Sequence, residues 1–147
     1  MRGVRYIFLS LILLSFMGCE KRDVSELREV HWDRDMCERC KMVVSDRHHT
    51  IQLINTENGK SYMFDDIGCM VLWLKDEKIE WFSTAKVWIT DASSGEWIDA
   101  KDANYKDGFV TPMAYGFSAH KTKESIKAGQ EIIDYDEVVK RVIKIGK

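Results

Sequence analysis

Two thiols three positions apart, with a thioether two residues after the second, are the residues of this chain best fitted for chemistry. They lie in the run Met36-Cys37-Glu38-Arg39-Cys40-Lys41-Met42. Thiolate and thioether sulfurs are soft donors, and soft donors select copper(I) over hard cations. A bare C-x-x-C is shared by zinc, redox and copper chemistry. The methionine tilts this one toward copper(I), because a thioether adds a neutral soft donor that needs no deprotonation. A Cys37–Cys40 disulfide stays open as an alternative use of the pair in an oxidising compartment. So do a thiol-disulfide oxidoreductase and a structural zinc site built from Cys37, Cys40, Cys69 and a histidine. The redox reading is disfavoured because the motif precedes a strand-like Val43-Val44 rather than opening a helix that would lower a thiol pKa. The zinc reading lacks a second C-x-x-C or a histidine pair.

The N-terminus sets the compartment. Arg2 and Arg5 precede an apolar run over 7–17, interrupted by Ser10 and Ser15. A membrane-spanning helix needs about 20 apolar residues, so this shorter run reads as the core of an export signal, residues 1–18. Cys19 ends it where a lipoprotein signal places its acylated cysteine, and a polar stretch, Glu20 to Asp23, follows at once. An ordinary cleavable signal with Cys19 incidental is the alternative. The expectation is a chain on the periplasmic side of a bacterial membrane, held in the lipid bilayer through acylated Cys19, with the outer membrane as one destination. Loss of Arg2 and Arg5 leaves 20 basic against 24 acidic side chains, moving the formal charge from −2 to −4. With no basic patch, nothing directs the chain to nucleic acid. If Cys19 carries lipid, Cys37, Cys40 and Cys69 remain, an odd number that a framework of structural disulfides does not use up.

Residues 19–34 are charged and lack apolar periodicity, and they read as a lipidated tether. Folded structure is expected from 35 onward. Thr50 to Ile54 and Lys60 to Phe64 flank Asn58-Gly59 as a hairpin. Asp65 and Asp66 read as a helix cap, and Ile67, Met70, Val71 and Leu74 form the stripe of the helix that follows. Cys69 and Trp73 fall on its other side, so the helix is expected to be covered nearly all round, with Cys69 a small buried apolar residue. Lys86 to Thr90 is the next strand. These elements make a first ββαβ unit over 35–92. Residues 93–147 echo it. Glu96 to Asp99 and Tyr115 to His120 read as strands, Thr122 to Ala128 as a short helix and Glu131 to Ile133 as a strand. Asp134 with Glu137 caps a final helix bearing Val138, Val139, Val142 and Ile143. The fold class is therefore α+β, two related ββαβ units in one small body. His48, His49 and His120 read as loop or strand-end residues, with His48 or His49 open as an imidazole donor to copper. His31 reaches the thiols only if the tether folds back. Trp81, Trp88 and Trp97 read as core aromatics.

Three motifs, in this order, resemble the NosL lipoproteins, accessory proteins of nitrous oxide reductase. They are C-x-x-C-x-M, the segment Phe64-Asp65-Asp66-Ile67-Gly68-Cys69-Met70, and the loop Thr111-Pro112-Met113-Ala114-Tyr115-Gly116-Phe117. The resemblance implies two ββαβ units and a non-enzymatic copper(I) metallochaperone. Such a chaperone delivers copper for maturation of the reductase copper-sulfide centre. The implied partners are an ABC-type copper-centre assembly complex in the membrane and, through it, nitrous oxide reductase or another cuproenzyme. It implies Cys40 and Met42 as metal ligands, Met113 as a further ligand and Cys37 as an auxiliary one. The chain departs from the family pattern at Lys41, where glycine is usual, which puts a Cβ and a charge into the loop.

Overall fold

The computed structural model describes residues 23–146. Cys19 and the expected export signal lie outside the described residues. The chain is α+β. Strands β1 (Ile51–Ile54), β2 (Ser61–Phe64), β3 (Lys86–Thr90) and β4 (Trp97–Asp99) form one antiparallel sheet in the order β2-β1-β3-β4. Strands β5 (Asn104–Lys106) and β6 (Ser118–His120) form a second, two-stranded sheet. Helix α1 (Ile67–Asp76) follows β2, and helix α2 (Tyr135–Ile145) ends the described chain. Among the described residues no helix is long and apolar enough to cross a membrane.

The first unit forms for the reasons its sequence gives. Ile51, Leu53, Phe64, Val87 and Ile89 are buried on the strands, with Ile51 registered between Phe64 and Ile89. Asn58-Gly59 does close the β1–β2 hairpin, within a wider loop than the dipeptide alone makes. The Asn55 N–H donates to Lys60 O, and the Gly59 N–H donates to Asn55 O at φ +71°. Asp66 caps α1 by accepting from the Gly68 N–H at 3.0 Å. Residues Ile67 to Leu72 are all buried, so α1 is covered on nearly every side.

The second half differs in detail. Residues 97–99 pair with β3 and complete the first sheet. The strand Asn104–Lys106 had no sequence signature, because three residues with a single apolar side chain show no period. The helix expected at 122–128 is a 3-10 turn, Lys123–Ser125, and the strand expected at 131–133 is a single bridge from Ile133 to Tyr105. An echo of the first unit remains. Tyr105 on β5 pairs with Ala119 on β6 and also with Ile133, just as Ile51 on β1 pairs with Phe64 and Ile89.

Residues 23–34, expected as a tether, run across the first sheet. The Arg28 N–H donates to Gln52 Oε1 at 2.7 Å, and Trp88 Nε1–H donates to Ser25 O at 3.1 Å. The Trp32 ring stacks on Trp97 with centroids 6.3 Å apart, and Arg47 lies over the Trp32 face. The Asp33 N–H donates to Val44 O, which leads the chain into the thiol motif.

Candidate metal centre

The C-x-x-C motif is the tip of a tight hairpin. Met36 and Val43 form an antiparallel bridge at its base. Inside it the Cys37 N–H donates to Met42 O at 2.8 Å, and the Lys41 N–H donates to Cys37 O at 3.0 Å. Closing so short a loop requires one left-handed residue, and Lys41 supplies it at φ +60°. The position where glycine is usual in the resembling family thus keeps a glycine-like backbone. The turn aims backbone N–H groups at sulfur, those of Arg39 and Cys40 at Cys37 and that of Met42 at Cys40.

A third thiol and a carboxylate join this hairpin. One ligand atom each from Cys37, Cys40, Asp65 and Cys69 lies within 4.8 Å of all the others. Cys37 and Cys69 are fully buried, Asp65 is 3 % exposed, and Cys40 is half-buried and faces outward most. All three thiols are free. Cys69 sits in the first turn of α1, and Asp65 is the last residue before the cap. A strand running straight into a capped helix therefore delivers both groups to one point. The sequence joined Cys69 to Cys37 and Cys40 only in the zinc alternative and otherwise read it as a small buried apolar residue. It read Asp65 as part of the helix cap, which Asp66 forms. The odd thiol count was a further signal.

The electrostatics follow from crowding. The Cys37 thiol is lowered to about 6, first by the S–H that Cys69 donates to it and, against its burial, by the N–H groups of Cys40, Asp65 and Arg39. Cys40 is raised to about 11, chiefly by burial, with the charges of Cys37 and Asp65 adding to it. Cys69 is pushed up strongly by its hydrogen bond to Cys37 and by burial. The Cys40 sulfur lies 3.4 Å from Asp65 Oδ2. One thiolate, two S–H groups and a carboxylate thus share a pocket with little water. Bringing all four to full charge is costly unless a cation enters. A soft cation replaces the S–H protons directly, and metal binding in such a site releases them.

The other expected ligands, Met42 and Met113, lie on the thiol hairpin and on the Thr-Pro-Met loop. Met42 is 52 % exposed beside Cys40. Met113 is partly buried, and its loop is fastened to the start of α1. Asp66 Oδ2 accepts from Thr111 Oγ1–H at 2.6 Å and from the Met113 N–H at 3.2 Å. Burial raises the Asp66 carboxyl, and these donors draw it back. Tyr115 packs over Gly68 so closely that a Cβ there would stand 2.0 Å from its ring, and its hydroxyl accepts from Arg39 Nη1 at 3.2 Å. The Thr-Pro-Met loop, the helix start and the thiol hairpin are thereby tied together. His49 and His120 are not in this cluster, and both rings lie against Phe109, with centroids 6.2 and 6.1 Å away.

No family model matches the sequence, and no curated protein matches it. A solved structure does. The chain is similar to the crystal structure of the copper chaperone NosL from Shewanella denitrificans, with a TM-score of 0.63 and 16 % identity, over 77 % of this chain and 95 % of that one. The fold of this chain is NosL-like.

Proposed function

We propose that this chain is a copper(I) metallochaperone, not an enzyme. Its cargo is copper(I), held by Cys37, Cys40 and Cys69 with Met42 and Met113 as thioether donors at the rim. The carrying observation is the convergence of three thiols and Asp65 within 4.8 Å, with a single thiolate poised near neutrality. Asp65 is a hard donor that copper(I) does not favour. Its role is to accept from Cys40 and hold that sulfur in place. The more accessible Cys40 and the exposed Met42 are where an incoming partner sulfur exchanges onto the ion, whereas structural sites are closed. The likeness to a copper chaperone and the three motifs support both cargo and role. On this reading the chain is anchored by acylated Cys19 on the periplasmic side. It serves an ABC-type assembly complex and, through it, the copper-sulfide centre of nitrous oxide reductase.

Three thiols and one carboxylate are also a donor set that zinc accepts, so zinc is the second reading. Equilibrium competition separates the two. Reduced protein is expected to hold one copper(I) per chain tightly and to keep it against excess zinc(II). Retention of zinc(II) against equimolar copper(I) would establish the other reading. The recipient is tested in cells lacking this chain, whose nitrous oxide reductase is expected to be purified without its copper-sulfide centre. A fully assembled centre would exclude that recipient.

A further inference from the structure

The folded-back segment and the β2 edge line an open pocket whose walls carry donor side chains that the thiol cluster does not use. Between this segment and the β2 edge lies a cavity of about 410 Å³, whose walls include His31, Met36 and Met63 together with Glu29, Asp35 and Glu38. Met36 immediately precedes Cys37 and is 52 % exposed, an unusual state for a long apolar side chain at the base of a hairpin. Met63 belongs to the hairpin's other wall. Its carbonyl accepts from the Glu38 N–H at 2.9 Å, and its sulfur is 3.5 Å from Nε2 of Gln52, which also lines the cavity. His31 Nδ1 lies 3.6 Å from Asp35 Oδ1, and the His31 backbone N–H donates to Asp35 Oδ2 at 2.8 Å. The Asp35 carboxylate thus stands beside the His31 ring without a hydrogen bond to it.

The chemistry of this set is graded against that of the thiols. Two thioethers and an imidazole are neutral donors that accept copper(I) without losing a proton. They hold it more weakly than thiolates do. The three carboxylates raise the local concentration of cations at the cavity mouth. The peptide Met36-Cys37-Glu38 is at once the cavity wall and one side of the thiol hairpin. We propose that the cavity is a second, weaker copper(I) site that loads the thiol cluster. The loading role rests on the copper reading above. The step is ligand exchange with the metal remaining copper(I). Cys37 thiolate displaces a thioether, Cys40 and Cys69 follow, and their S–H protons pass to solvent.

Two measurements test it, both on the full chain with copper(I) supplied from a chelated stock under anaerobic, reducing conditions. In the variant Cys37→Ser/Cys40→Ser/Cys69→Ser, methionine-methyl NMR is expected to show saturable shifts at Met36 and Met63, with the His31 ring shifting in step. Absence of shifts at Met36 and Met63 overturns the site. With all thiols intact, His31→Ala/Met36→Leu alters two half-exposed side chains. It is expected to slow cluster loading by about tenfold, within the span of on-rates seen among variants of one site. Its final affinity should be unchanged. An unchanged rate overturns the loading role. Wild-type protein that takes up no copper(I) at its thiols would sink the chaperone reading, while the first measurement would still decide the cavity.

Discussion

Lys41 carries the cost of the thiol hairpin in its own backbone. A left-handed residue with a Cβ is strained by roughly 1–2 kcal/mol, and glycine removes that strain while adding freedom to the unfolded chain. Lys41→Gly is therefore expected to leave copper(I) affinity unchanged and to stabilise the fold by up to about 1 kcal/mol in denaturant titration. A loss of stability would mean that the lysine side chain, which pairs with Glu38, matters more than its φ. The thiols make a second prediction. Cys37 is already largely ionised above about 6, whereas Cys40 and Cys69 still hold protons at neutral pH. Copper(I) binding should then release protons at pH 7. Apparent affinity should rise with pH and fall steeply once pH drops below about 6. Calorimetry in buffers of different ionisation enthalpy measures that release directly. At this scale the sequence was legible where spacing carried the signal, in bringing Cys37 and Cys40 to one point. It named Cys69 only in the zinc alternative and read Asp65 as a cap, because their convergence depends on the angle between β2 and α1, a quantity no local pattern encodes.

Helix α1 connects the site to the rest of the fold, and its first turn tolerates no added volume. Gly68 lies directly under the Tyr115 ring, and any Cβ there would fall far inside van der Waals distance. Gly68→Ala is expected to destabilise the protein by about 1–3 kcal/mol through overpacking, although alanine is the better helix former. It should also weaken copper(I) binding, because the Tyr115 loop carries Met113. A neutral effect on both would show that the loop shifts freely. The length and stripe of α1 were readable in advance, as were β1 and β3, because four or more residues at a fixed period outweigh their neighbours. Of the three-residue strands in the second half, β4 and β6 lie inside the stretches read as strands, Glu96 to Asp99 and Tyr115 to His120, while β5 was not readable. The segment 122–128 offers Thr122, Lys123, Glu124 and Ser125 in place of an apolar stripe, and short polar side chains favour turns over helix interiors. That explains the 3-10 turn.

At the scale of the molecule, the two sheets are joined by Asp91 at the end of β3. Its Oδ1 accepts from the Ser93 and Ser94 N–H groups at 2.8 Å each, and its Oδ2 accepts from the Lys121 N–H just after β6 at 2.7 Å. Burial raises its carboxyl, but these donors win and hold it below the ordinary 3.8. A group with a depressed folded pKa adds stability that is complete above its unfolded value. That stability is lost as pH falls through the folded one. Asp91→Asn is expected to cost about 1–3 kcal/mol at neutral pH and to flatten the acid limb of the stability curve below 3.8. An unchanged acid limb would assign the junction to other contacts. The N-terminal segment shows the limit of composition at this scale. Its charges imply a tether, yet Trp32 and the backbone at Arg28 dock it on the sheet and build the cavity wall. The central claim is that three thiols gathered from a hairpin and a helix hold copper(I), and X-ray absorption at the copper edge of stoichiometrically loaded, reduced protein tests it most directly. The expected result is a coordination shell made of sulfur that loses one sulfur in Cys69→Ser. A shell dominated by nitrogen or oxygen, or one indifferent to Cys69, would contradict it.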